Sequence, residues 1–256
     1  MKKILLISLF VLSGIGAHSQ VLITLLFGDK LNTPDLEFGL EGGGNWSKIS
    51  GLEANSFEPN WNLGFYFDFR IKNQWFFYTG VLVKASLGVN KLTTADLNLL
   101  DATVYFEKGD YAQKMNYFLV PALIKYRFKN RIFLEGGLQF GLMYKSWIEY
   151  VTDIDGREGI IKEFNKDQIN KIDVGAMGGA GYRFSGRLTS WSLGVKYYYG
   201  FVNVYKDNSG TKNSAIFLKL NIPIGAGEKA KTKNIEKAEE KKAKKAEKEA
   251  KKNNKK

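Results

Sequence analysis

The chain contains no cysteine and only one histidine, His18, among its 256 residues. Without cysteine, disulfide scaffolds, thiol nucleophiles and cysteine metal sites are excluded. One histidine near the N-terminus provides no basis for a histidine triad or an HExxH metal motif. Residues 20–224 also lack any run of about 18 apolar residues, so helical membrane spans are not indicated there. We therefore expect no catalytic residue, no metal and no cofactor.

Both ends of the chain are predicted to lie outside the fold. Residues 1–19 combine two lysines, an apolar stretch and a small-x-small end, which is the pattern of a cleavable Sec signal. An uncleaved anchor is the alternative, because residues 21–27 are apolar again. Residues 225–256 hold 13 Lys and six Glu without an aromatic residue, which predicts a disordered or partly helical Lys-rich tail.

Most of the formal net charge of +12 belongs to these two ends. The tail contributes +7 and the signal +2, which leaves +3 for residues 20–224. A strongly basic folded domain is therefore not indicated, and we expect no nucleic-acid partner. The tail suggests either electrostatic contact with anionic envelope components or a solvated spacer.

The middle of the chain contains eight runs in which apolar and polar residues alternate. Each run is long enough for the roughly 9–11 residues of a tilted membrane strand, and short connections alternate with long ones. This pattern predicts an all-β fold, an eight-stranded antiparallel transmembrane β-barrel over residues 36–224, preceded by a periplasmic segment at 20–35. Pro121 lies inside one run and cannot donate an N–H group, so we expect a bulge there. The runs are 36–46, 61–71, 75–88, 114–128, 132–142, 173–184, 191–201 and 213–224.

The five tryptophans fall at or near the ends of these runs. Aromatic rings of this kind favour the boundary between lipid and water. Trp46, Trp61 and Trp147 are predicted to form an outer girdle, and Trp75 and Trp191 a periplasmic one. In the alternative, a soluble β-sandwich or lipocalin-like barrel, the same apolar faces would form the core.

The polar face of the runs would line the lumen of such a barrel. An eight-stranded barrel has an interior only wide enough for side chains, so buried charges there must pair. We predict a polar core network, with an ion path or a catalytic carboxylate pair as the functional alternative. Its predicted members are Glu37, Glu41, Asp68, Arg70, Lys84, Lys125, Arg127, Glu135, Asp173, Arg183, Lys196 and Lys219.

Two segments resemble a known family. Gln20–Asn32, followed by Leu36-Glu37-Phe38-Gly39-Leu40, resembles the opening of Bacteroidetes outer-membrane β-barrel proteins of the PorT-like group. Residues 120–128, VPALIKYRF, are similar to that group's "IPxLLKY" element. The resemblance implies an eight-stranded outer-membrane barrel, and the group's prototype is associated with protein secretion across the envelope. It implies no site residues, because the pattern marks the fold.

Together these features predict an outer-membrane protein with extracellular loops and periplasmic termini. We expect a structural or interaction role rather than an enzyme, in contact with outer-membrane lipid and with an envelope or secretion-system protein. The apolar stretch 96–109 is the expected contact segment. A small channel is the first alternative, and a lipid-modifying or proteolytic enzyme the second.

Overall fold

Nine β-strands and one short α-helix follow one another in the computed structural model, which describes residues 35–154, 157–186 and 190–224. The strands are β1 (Leu36–Ile49), β2 (Glu58–Lys72), β3 (Trp75–Asn90), β4 (Gly109–Arg127), β5 (Ile132–Ile154), β6 (Arg157–Phe164), β7 (Ile172–Arg183), β8 (Ser192–Asn203) and β9 (Lys212–Pro223). The helix α1 spans Thr94–Leu99, and a 3-10 turn spans Lys166–Gln168. The predicted signal, the tail and all but the last residue of the 20–35 segment lie outside the described residues. Within the described ranges, no helix has the length and hydropathy needed to cross a membrane.

Eight of the strands form a closed antiparallel ring, which confirms the predicted fold. The order is β4-β3-β2-β1-β9-β8-β7-β5, and a further pairing between β4 and β5 closes the ring. Turns at 73–74 and 128–131 lie at one end, together with the described parts of the β7–β8 connection (184–186 and 190–191), the start of β1 and the end of β9; this is the short-turn end. The opposite, long-loop end carries residues 50–57, 91–108, 165–171 and 204–211.

Most exposed side chains of the ring are apolar, whereas the lumen holds the buried charged and polar side chains together with buried apolar ones such as Leu123 and Phe133. In β8, for example, Leu193, Val195 and Tyr197 are exposed, whereas Gly194 and Lys196 are buried. The side-chain period of two along a strand produces this division. The outer wall is therefore apolar, as a lipid-facing surface requires.

Residues 147–170 belong to the long connection predicted between the runs 132–142 and 173–184, and they form more structure than a loop. β5 continues past the ring to Ile154 and pairs with β6, from Trp147 opposite Phe164 to Ile154 opposite Arg157. The prediction was wrong for this segment because charged residues interrupt its apolar pattern. The resulting β5–β6 hairpin projects from the long-loop end.

The bulge expected at Pro121 is absent. Pro121 lies opposite Gln139 of β5 in an unshifted register, and on the β3 side the pairs before and after it, Thr79 with Ala122 and Leu82 with Leu119, keep one register. The register shifts lie nearby instead, between Leu82 and Ala85 and between Asn116 and Tyr117.

Candidate functional site

Ion pairs fill the lumen near the short-turn end. Nη1 of Arg183 lies 2.8 Å from Oε2 of Glu37, and Nη2 of Arg127 lies 3.4 Å from the same oxygen. Nη2 of Arg127 is also 2.5 Å from Oδ2 of Asp68. The hydroxyl of Tyr66 donates to Oε1 of Glu37 at 2.9 Å. Two carboxylates on β1 and β2 are thus held by cations from β4 and β7.

A second set of pairs continues from Asp68 into the barrel. Nζ of Lys125 lies 2.8 Å from Oδ2 of Asp68 and 3.5 Å from Oε2 of Glu135. Lys219 also pairs with Glu135. Lys125 therefore bridges the carboxylates of Asp68 and Glu135, and the Glu135 carboxylate bridges Lys125 and Lys219.

A third pair joins β8 to β1. Nζ of Lys196 lies 2.6 Å from Oε1 of Glu41, whose carboxylate also accepts a hydrogen bond from the Tyr78 hydroxyl. The ring of Tyr78 lies 4.0 Å from Nζ of Lys125 and 4.1 Å from Nζ of Lys219. A cation facing an aromatic ring is attracted to it, so Tyr78 contributes to holding both lysines.

These charged side chains form one lumen network, defined as Glu37, Glu41, Asp68, Glu135, Lys125, Arg127, Arg183, Lys196 and Lys219. Each of its carboxylates contacts at least one cation, which offsets the cost of removing charges from water. Because the interior of eight strands is narrow, the network occupies the space that a pore would need. Its geometry supports a structural role for these groups.

Three predicted members, Lys84, Arg70 and Asp173, do not join this network. Lys84 is exposed on the outer wall, 3.7 Å from the centre of the Trp61 ring, because the register shift between Leu82 and Ala85 reverses the alternation. Arg70 lies at the short-turn mouth, where Nε is 3.6 Å from Oδ1 of Asp35.

Asp173 is buried in the lumen but lies apart from these pairs. Its Oδ2 accepts a hydrogen bond from Nδ2 of Asn213 at 2.8 Å, and the same amide contacts the Tyr117 hydroxyl at 3.5 Å. Asn62 and Gln139 are also buried, and their amide atoms have no hydrogen-bond partner among the described residues. A polar layer that can hold water therefore lies in the same lumen.

The five tryptophans all reach the outer surface. Trp75 and Trp191 lie at the short-turn end, beside the starts of β3 and β8. Trp46, Trp61 and Trp147 lie towards the long-loop end, and Trp147 is only half-exposed because β6 covers part of it.

Packed loops close the long-loop end of the lumen. Nε2 of Gln113 donates to Oγ of Ser146 at 2.9 Å, and Oγ of Ser146 donates to Oδ1 of Asn165 at 2.7 Å. The Tyr205 hydroxyl donates to Oε1 of Gln113 at 3.0 Å. Burial and the nearby Asp96 carboxylate raise the pKa of Tyr205, so its hydroxyl remains a donor. These four residues, Gln113, Ser146, Asn165 and Tyr205, form the cap quartet.

Helix α1 completes this closure. Thr93 and Asp96 form a capping box, and the Asp96 carboxylate also accepts hydrogen bonds from the backbone N–H groups of Glu53 and Ala54 at 2.7 and 2.9 Å. Leu97 and Leu100 are buried in the core cluster. The expected contact segment 96–109 is therefore partly an internal plug, although Phe106 is fully exposed.

The sequence pattern missed several residues that hold this site together. Tyr66 and Tyr78 were on the polar face of their runs, and that register could have placed them in the lumen. The cap quartet gave no such signal, because Asn165 and Tyr205 come from long loops. No group of three or more acidic, cysteine or histidine side chains that could bind a metal occurs in the part of the chain that the structure describes.

Comparisons with known proteins agree with this architecture. A model of the family described as "Outer membrane protein beta-barrel domain" matches residues 29–206. No curated protein matches the chain.

Solved structures with a similar fold include Ail, the attachment invasion locus protein of Yersinia pestis. It is 12% identical, with a TM-score of 0.40 over 74% of this chain and 99% of that one. OprG from Pseudomonas aeruginosa is 12% identical, with a TM-score of 0.37 over 74% and 93%. The Pseudomonas putida toluene transporter TodX is 10% identical, with a TM-score of 0.30 over 76% and 69%. At these identities the likeness concerns the fold alone.

Proposed function

From the premise that the chain belongs to the outer membrane protein beta-barrel domain family, we propose that this outer-membrane barrel is a binding barrel. It presents contact segments at its long-loop end to another component of the cell envelope. The observation that carries the proposal is the edge of β6 that pairs with no described strand, in a hairpin that projects beyond a ring whose lumen is filled by side chains.

The edge of β6 has the properties of a peptide-binding surface. Among the described strands, β6 pairs only with β5, so its other edge offers backbone N–H and C=O groups. Ile160 and Phe164 are 53% and 63% exposed and add apolar contact area. An extended segment of a partner protein can add to such an edge as a further strand.

The orientation follows from the lengths of the connections. Outer-membrane barrels place short turns in the periplasm and long loops outside. This rule puts the β5–β6 hairpin outside the cell, and the start of β1 and the end of β9 on the periplasmic side. Export through the Sec signal at residues 1–19 and a periplasmic tail complete the proposed topology.

Photo-crosslinking in intact cells tests the contact. A photoreactive amino acid at position 160 should yield adducts with a partner protein, because this position lies on the exposed hairpin. The control is position 216 on β9, which is exposed on the lipid-facing wall. Equal protein adducts from both positions, or none from position 160, would contradict the proposal.

A small channel is the alternative function. The amides of Asn62 and Gln139, which have no hydrogen-bond partner among the described residues, favour water in the lumen. The lumen network and the cap quartet, however, obstruct a continuous path through the barrel. We expect no reproducible conductance from the full chain in planar bilayers. A conductance whose ion selectivity changes with Glu37→Gln would support the channel instead.

Enzymatic activity is not proposed, since every carboxylate of the lumen network contacts a cation.

The secretion-system role and membership in the PorT-like group are finer proposals, supported by the resemblance of residues 20–32, 36–40 and 120–128. A secretion-system protein among the crosslinked partners would support them. The Lys-rich tail is proposed to contact anionic envelope components. Deleting residues 225–256 should then remove the salt-sensitive part of the association with envelope fractions.

A further inference from the structure

A polar row interrupts the apolar outer wall near the long-loop end. Ser86 of β3 lies directly opposite Asn116 of β4, and Asn116 lies opposite Lys145 of β5. Oγ of Ser86 donates to Oδ1 of Asn116 at 2.6 Å. Asn116 shares its face of β4 with Phe118, which is exposed on the wall. The row therefore faces the surroundings of the barrel and not its lumen.

Four lysines lie in or beside this row, and two glutamates neutralise only part of their positive charge. The lysines are Lys84, Lys114, Lys145 and Lys162, and the glutamates are Glu58 and Glu149. Nζ of Lys114 lies 2.5 Å from Oε1 of Glu149 and 3.4 Å from Oε1 of Glu58, and Nζ of Lys162 lies 3.4 Å from Oε2 of Glu149. Lys84 and Lys145 form none of the ion pairs found among the described residues. We call Lys84, Ser86, Asn116 and Lys145 the wall patch.

Aromatic rings hold both of these lysines at the surface. Nζ of Lys84 lies 3.7 Å from the centre of the Trp61 ring. Nζ of Lys145 lies 5.5 Å from the ring centre of Trp147 and 5.2 Å from that of Phe164. Both lysines are exposed, so their ammonium groups can also contact an anion from the surroundings of the barrel. Two cations are thus positioned beside the tryptophans of the boundary between lipid and water.

We propose that the wall patch binds the phosphate groups of an anionic lipid in the leaflet at the long-loop end. The inference rests on the proposed membrane orientation and adds a lipid partner to it. Lys84 and Lys145 are two strands apart and offset by two residues along the strands, which places their Cα atoms roughly 12 Å apart. The molecules that meet this part of the wall are lipids, and their phosphates complement the surplus positive charge. The Ser86 and Asn116 groups between the lysines add hydrogen-bonding capacity for a head group.

Lipid retention by the purified, folded full-length barrel tests the proposal. Native mass spectrometry should detect more bisphosphorylated lipid A than monophosphorylated lipid A on the protein after exchange from mixed micelles. The double variant Lys84→Gln/Lys145→Gln should bind the bisphosphorylated lipid about 10- to 30-fold more weakly, since each lysine near an anionic surface contributes about fivefold. The matched control is Lys91→Gln/Lys108→Gln, which removes the same charge from exposed loop positions at the same end.

Equal binding by the wild type and the wall-patch variant, or equal loss in the control, would overturn the proposal. Inorganic diphosphate is the second probe, and if it binds as tightly as the lipid with the same lysine dependence, the ligand is a soluble anion and the lipid proposal fails.

Heat-dependent gel mobility checks folding, and the single variant Lys145→Gln, with an expected fivefold loss, serves if the double variant does not fold. The measurement needs no protein partner, so it can fail independently of the proposed binding function. Labelling Phe106→Cys from outside intact cells checks the orientation separately.

Discussion

The ammonium group of Lys196 lies 2.6 Å from Oε1 of Glu41, although 155 positions separate the two residues in the chain. Lys196 is on β8 and Glu41 is on β1, and β9 lies between these strands. The pair can form only after the last strand has joined the first. Its stability therefore reports closure of the ring as well as the state of the lumen.

Replacing Lys196 by methionine should destabilise the barrel by about 3–5 kcal/mol, because it leaves the buried Glu41 carboxylate without its paired cation. Urea unfolding in detergent micelles, followed by heat-dependent gel mobility, measures the change. The exposed Lys206→Met provides a control with an expected cost within about 0.5 kcal/mol.

The double variant Lys196→Met/Glu41→Leu sharpens this test. Replacing both partners by apolar groups removes the uncompensated charge, so the double variant should be more stable than Lys196→Met alone. Additive losses would show that the two side chains do not stabilise each other.

Two buried aspartates should respond differently to neutralisation. Asp68 contacts both Lys125 and Arg127, and Asp68→Asn leaves these cations with less compensation, at a cost of about 3–5 kcal/mol. Asp173 accepts from the neutral Asn213 amide, so Asp173→Asn should cost no more than about 1 kcal/mol. The same unfolding measurement compares the two variants. Similar losses of stability would contradict the assignment of Asp68, but not Asp173, to the lumen network.

The period-two pattern predicted the ring because each strand has one lipid-facing and one lumen-facing side. The same pattern failed where a strand changes register. Lys84 follows the register shift after Leu82, so its side chain points outwards although a strict alternation places it in the lumen. A single-residue irregularity of this kind reverses every later side chain, and nothing in local composition marks it.

The packing of the loops could not be predicted from the period-two pattern either. The cap quartet joins Gln113 and Ser146 of neighbouring strands to Asn165 and Tyr205 of two loops. These contacts depend on tertiary structure, and each loop alone has the composition of an ordinary solvated segment. The nine members of the lumen network could be predicted, because all of them lie on regular strands.

The cap quartet should control the local stability of the long-loop end. Gln113→Ala removes the amide that joins Ser146 and Tyr205 and leaves buried polar groups unpaired, at about 1–3 kcal/mol. Hydrogen exchange should increase at residues 204–211 while the central ring strands stay protected. Gln74→Ala, at a half-buried turn position of the opposite end, is the control, because any opening that it causes lies far from residues 204–211. Uniformly faster exchange would indicate global destabilisation rather than local opening.

The apolar wall of the ring should tolerate a charge far less than the projecting hairpin does. Leu138 on β5 and Ile160 on β6 are 42% and 53% exposed, so both would accept arginine in water. In a bilayer, Leu138→Arg should cost about 2–4 kcal/mol, because this position lies within the span of the ring, whereas Ile160→Arg beyond the ring should cost about 0–1 kcal/mol. Urea-dependent folding into phosphatidylcholine vesicles measures both changes. Equal costs would show that the exposed leucine does not face lipid, because only the low polarity of the bilayer distinguishes two side chains with such similar exposure.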